Sequence, residues 1–149
     1  MRIVLVFLLL SNFAYADQLQ DFCREKKGKL LKKYKCPKTK LTLRIRTCEF
    51  ENQYGDTQFV NGCSGPSGGH KEIFFKACVQ HDLCYHHEPS TNGQSRKDCD
   101  QLFLNIATKS CETDAKNKQK CKRWAKTMYR ALRVIGGPAY HCADQPSNY

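Results

Sequence analysis

The run Ala77-Cys78-Val79-Gln80-His81-Asp82-Leu83-Cys84-Tyr85 places a histidine beside an aspartate, between two cysteines. From Glu72 to about His87, the residues Ile73, Phe74, Ala77, Cys78 and Tyr85 recur at helix-compatible spacings, so the run reads as helix. His81 can then act as a base and Asp82 as a hard carboxylate ligand, with Cys78 and Cys84 available as disulfide anchors. That combination points to calcium-dependent hydrolysis. Zinc is the rival, because Cys78, His81, Cys84 and His87 repeat every third residue. Each three-residue step turns about 300° on a helix, so the four side chains drift through about 180° and do not converge on one ion.

Working outward, Glu88-Pro89-Ser90-Thr91-Asn92-Gly93 reads as a turn, and a second helix is expected from about Ser95 to Cys111. Its Cys99, Leu102, Phe103, Ile106 and Ser110 fall on one face. So short a connection makes the two helices antiparallel neighbours. A third helix, capped by Thr113 or Asp114, carries the stripe Cys121, Trp124, Ala125, Met128, Leu132 and Ile135, and stops at Gly136-Gly137-Pro138. Upstream, residues 51–70 are turn-rich, and the segment from Asn61 to Gly69 holds four glycines and a proline, which excludes regular structure. Leu41, Leu43 and Ile45 alternate with Thr42, Arg44 and Arg46, the period-2 pattern of a short strand in a hairpin or at an edge. The expected fold is mainly α, with two antiparallel core helices, a calcium loop and a short β-hairpin.

Met1-Arg2, the apolar run Ile3 to Leu10 and Ala14-Tyr15-Ala16 have the order of a secretory signal cleaved after Ala16. Residues 17–149 then form one secreted domain. The ten cysteines read as five disulfides in an oxidising compartment. The formal charge of +11 becomes +10 once Arg2 leaves with the signal, and it concentrates in Arg24 to Arg46 and Lys116 to Arg133. Such a surface suits an anionic lipid interface or a glycan, or simply keeps the protein soluble, and secretion argues against nucleic acid as the partner.

If Cys84 pairs with Cys99, the bond brings Asp100 into the neighbourhood of His81, which lies one turn before Cys84. A carboxylate on one imidazole nitrogen fixes the tautomer and leaves the other nitrogen free as base. Asp98 is the alternative partner, although it points roughly 200° around the helix from Asp100. Tyr85 shares the helix face of His81, and its hydroxyl can hold the same carboxylate. If Cys63 pairs with Cys78, the glycine-rich loop is tied one turn before His81 and Asp82, where its carbonyls and the Asp82 carboxylate suit calcium.

The run Cys78-x-x-His81-Asp82-x-Cys84-Tyr85, preceded by the loop Asn61-Gly62-Cys63-Ser64 and followed by Asp98-Cys99-Asp100, resembles secreted phospholipase A2. The spacing is similar to the conodipine-like and microbial secreted groups, and the resemblance covers roughly residues 60–111. It implies a phospholipase A2-like fold and hydrolysis of the sn-2 ester of glycerophospholipids at a membrane or micelle interface. It further implies His81 as general base on water, Asp100 orienting His81, Tyr85 supporting Asp100, and calcium held by Asp82 and the loop. Two ligand sets are open: carbonyls of Gly62, Ser64 and Pro66, or the Asn61 side chain with the Gly62 carbonyl. The common vertebrate pattern has two adjacent cysteines before the histidine, where Ala77 precedes Cys78 here.

The other histidines read differently. His86 and His87 are expected to be structural or superficial, His70 to border the cleft or be solvated, and His141 has no visible partner. Trp124 reads as core or as an interfacial anchor. The alternative to an enzyme is a non-enzymatic toxin or binding protein on the same scaffold, acting through its basic surface.

Overall fold

The computed structural model describes residues 17–36, 40–86 and 94–140. The expected signal at 1–16, the turn at 88–93, His87 and the tail with His141 and Cys142 lie outside them. Among the described residues the fold is mainly helical: α1 is Gln18–Glu25, α2 Lys71–His86, α3 Arg96–Asp114 and α4 Lys118–Ile135. Strands β1 (Lys29–Leu31), β4 (Thr47–Glu51) and β5 (Thr57–Val60) make an antiparallel sheet in the order β1-β4-β5, and β2 (Tyr34–Lys35) pairs with β3 (Thr42–Leu43). Among the described residues no helix is long and apolar enough to cross a membrane.

Helix α2 is buried on two sides. Phe74, Ala77 and Cys78 pack with Phe103, Ala107, Cys111, Cys121, Ala125 and Met128 of α3 and α4. On its other side Val79 packs with Leu19 and Cys23 of α1 and with Cys48, Phe50 and Val60 of the sheet. Burying a side chain such as Phe74 or Phe103 contributes about 1.5–3 kcal/mol. This enclosure holds His81 and Asp82 on a helix packed between two cores.

Disulfides join Cys23 to Cys48, Cys63 to Cys78, Cys84 to Cys99 and Cys111 to Cys121. Cys36 is also disulfide-bonded. The Cα separations are 5.2 Å for Cys63–Cys78 and 5.6 Å for Cys84–Cys99, so the loop and α3 are each tied to α2 within a turn of His81. Bonds of this number are typical of proteins from oxidising compartments.

Several sequence expectations are revised. Helix α1, capped by the Asp17 side chain, occupies part of what reads as a basic segment. Strand β5 lies in the segment read as turn-rich. Of the 41–46 alternation only Thr42–Leu43 pairs as strand. Helix α4 is capped by Asn117 rather than Thr113 or Asp114, because α3 continues through Asp114 and the Asn117 side chain accepts the Lys120 N–H. Of the two places expected for His86, the structural one holds: it is buried, with its ring 5.7 Å from those of Tyr34 and Phe59.

Candidate active site

The site is built from α2, α3, α4 and the segment 61–66. His81 Nε2 lies 2.8 Å from Asp100 Oδ1, and the Tyr85 hydroxyl donates to the same oxygen at 2.6 Å. These contacts follow from helix geometry: His81 and Tyr85 are four residues apart on one face of α2, and Cys84–Cys99 brings Asp100 opposite them. The rings of His81 and Tyr85 are 4.0 Å apart, and Phe103 meets His81 edge-on at 6.1 Å. Asp100 is fully buried and His81 only 5% exposed. Asp98 does not compete for His81. It closes a capping box at the start of α3, its Oδ2 accepting from the backbone and hydroxyl of Ser95.

A further contact is invisible to motif reading. Arg133, in the last turn of α4, donates from Nη1 to Asp100 Oδ2 at 2.5 Å. Burial works to raise the Asp100 carboxyl, but donors from His81, Tyr85 and Arg133 overcome it and hold it below the ordinary carboxylate range. Asp100 therefore stays ionised, the state that keeps an imidazole N–H directed at it. Burial, with the Asp100 hydrogen bond, pushes the Tyr85 hydroxyl up, so it remains a donor. The end of α4 comes close to this group. A Cβ on Gly136 would lie 2.8 Å from the Tyr85 hydroxyl and 2.5 Å from the Leu132 carbonyl oxygen, and one on Gly137 would lie 2.7 Å from Arg96 Nη1.

Beside His81, Asp82 Oδ2 accepts the backbone N–H groups of Asn61 at 2.9 Å and Gly62 at 2.8 Å. Gly62 has φ +68°, a conformation that favours glycine and turns its amide toward the carboxylate. Burial pushes Asp82 up to about 8, against the lowering effect of the two amides. Burial thus disfavours the ionised form of Asp82, and a cation bound there would offset that cost.

Asn61, Gly62, Ser64 and Pro66 border a cavity of about 330 Å³ together with His81 and Asp82. Its remaining wall is mostly apolar, with Leu43, Ile45, Phe103, Met128, Leu132 and Ile135 among the lining residues. Among the described residues no three His, Cys, Asp or Glu side chains cluster as metal ligands. A cation here would depend on Asp82 together with neutral loop oxygens. That donor chemistry fits calcium, a hard ion satisfied by carbonyls, carboxylate and water. A second cleft of about 690 Å³ lies across the 61–65 segment, bordered by Arg44, Arg46 and Lys71. The ring of His70 lies 5.8 Å from that of Phe74. Trp124 packs against the helical core, and a Cβ on Gly68 would overlap its indole.

The chain is similar in sequence to secreted phospholipases A2. It is 32% identical to the group XIIA secretory phospholipase A2 of Mus musculus over 91 residues, 54% of this chain and 45% of that protein. It is 37% identical to conodipine-P2 and to conodipine-P1 of Conus purpurascens over 96 residues, 61% of this chain and 53% of each relative. The chain thus spans about half the length of the curated relatives it matches. No family model matches it, and no solved structure matches it. The mainly helical, disulfide-linked fold agrees with the similarity.

Proposed function

We propose that the chain is a secreted, calcium-dependent phospholipase A2 that hydrolyses the sn-2 ester of glycerophospholipids at a membrane or micelle surface, preferentially an anionic one. The observation that carries this reading is the His81–Asp100 contact at 2.8 Å beside Asp82 at the wall of one largely apolar cavity.

Asp100 holds the proton of His81 Nε2, which leaves Nδ1 to take a proton from water as that water attacks the ester carbonyl. Tyr85 and Arg133 keep Asp100 ionised and in place. The apolar cavity wall receives an acyl chain and limits competing water. Asp82, with oxygens of Gly62, Ser64 and Pro66 or the Asn61 side chain with the Gly62 carbonyl, would hold calcium. Bound calcium would supply electrostatic stabilisation of the phosphate and of the developing oxyanion. The similarity to a secretory phospholipase A2 supports the same reaction class and an extracellular location.

A second reading has one observation in its favour. The outer face of α4 exposes Lys118, Lys120, Arg123, Lys126 and Arg130, so a basic surface is available to a non-enzymatic toxin or binding protein. One experiment separates the two: release of sn-2 fatty acid from mixed anionic and zwitterionic vesicles, with calcium and then with excess EGTA, by wild type and H81Q. The enzyme releases fatty acid only with calcium and only with His81. Absence of release from correctly oxidised wild type at every calcium level would leave the binding scaffold.

A further inference from the structure

Two donors on Asp100 Oδ1 do not by themselves fix the carboxylate, because the terminal torsion of an aspartate is broad. With only His81 and Tyr85 bonded to one oxygen, the group could turn about its Cβ–Cγ bond and swing Oδ1 off the imidazole. Arg133 removes that freedom by occupying Oδ2 from a third element, α4. We infer that Arg133 is a positioning residue: it fixes the plane of the Asp100 carboxylate so that Oδ1 stays directed at His81, an assignment that rests on the phospholipase reading of the site.

Arg133 is itself held in place. Arg96, in the first turn of α3, donates from Nη2 to the Arg133 backbone carbonyl at 2.7 Å. Arg96 and Asp100 are four residues apart, on one face of α3. Helix α3 therefore grips the α4 backbone through Arg96, and α4 grips the α3 carboxylate through Arg133. The pair joins the helix ends that meet beside His81. The side chain of Arg133 is 33% exposed and that of Asp100 0% exposed, so the cation reaches a carboxylate that water does not.

An ion pair serving stability alone predicts that folded variants turn over normally. Positioning predicts a loss in kcat with KM nearly constant, because the geometry of the reacting groups is what changes. The test measures kcat and KM for calcium-dependent sn-2 release by wild type, R133M and R133K, each checked for folding by near-ultraviolet circular dichroism. Expected are falls in kcat of about tenfold to a hundredfold for R133M and about threefold to tenfold for R133K, since a lysine supplies the charge without the planar fork. Folded variants with kcat within about twofold of wild type, or losses confined to KM, overturn the assignment; if R133M does not fold, R133K decides by the same thresholds.

Should wild type hydrolyse no phospholipid, the phospholipase reading fails first, and imidazole nitrogen NMR judges Arg133 separately. A slowly exchanging His81 Nε2–H in wild type that is lost in R133M and returns in R133K supports positioning. A signal unchanged in R133M, or in R133K alone where R133M is unfolded, overturns it.

Discussion

Gly62 donates its backbone N–H to Asp82 Oδ2 at 2.8 Å, which links the 61–66 segment directly to the carboxylate proposed to hold calcium. The link depends on a backbone conformation with φ +68°. An alanine at this position meets that conformation and the Phe75 ring, 3.2 Å from the added Cβ. Gly62→Ala should cost about 1–2 kcal/mol and weaken calcium binding. Denaturant midpoints with and without calcium check both effects, and a variant as stable as wild type would contradict the strain argument.

The elevated Asp82 carboxyl has a definite pH signature. Without a cation the folded protein keeps, up to about pH 8, a proton that the unfolded chain releases near 3.8. This contribution to stability is therefore full below the unfolded value, declines by at most about 1.4 kcal/mol per pH unit, and is gone once pH passes the folded value. Asp100, held low, acts in the opposite sense in acid: its contribution is present above the unfolded value and lost as pH falls through the folded one. If Asp82 holds calcium as proposed, the ion competes with its proton, and the apparent affinity should climb up to about pH 8 and then level. Calcium titrations between pH 6 and pH 8.5 test this, and an affinity flat across that range would exclude Asp82 as the coupled group.

Tyr85→Phe removes one hydrogen bond to a fully buried carboxylate and little volume. The expected loss is about 1.5–3 kcal/mol, with kcat lowered about tenfold because His81 and Arg133 still hold Asp100. Thermal unfolding and turnover at saturating substrate measure the two effects. A kcat equal to wild type would show that the tyrosine only fills space.

Cys84 and Cys99 enclose a separation of 15 residues. Replacing both with alanine should cost about 3 kcal/mol. Activity should fall further than the folded fraction does, since the bond sets the distance between the helices that carry His81 and Asp100. Comparing turnover with circular dichroism over a temperature series tests this. Parallel declines would mean that the bond stabilises the fold without aligning the site.

The parts of the fold closest to the His-Asp motif are the most legible in sequence. Cys84, Cys99 and the helical period place His81, Tyr85 and Asp100 together, because a turn of helix and a disulfide are both short-range constraints. Arg133 is illegible for the opposite reason: it is one cation in a basic helix, and its partner is separated from it by 33 residues. Helix α1 left a weaker trace in Asp17 as a cap and in Leu19 and Cys23 on one face, masked by the surrounding lysines. Strand β5 gave no alternation to read, since Gln58, Phe59 and Val60 are all buried. Arg133 and β5 alike depend on what the rest of the chain presses against them.

Gly136-Gly137 reads in sequence as a helix stop, and in three dimensions it is also a tolerance. The hydrogen atoms at these two positions are spacers one methyl group thinner than alanine would allow, set between the end of α4 and the tips of Tyr85 and Arg96. The alignment of the His81–Asp100 pair is thus specified partly by omission. A clearance left empty at one end of α4 decides how closely the supporting side chains can approach it.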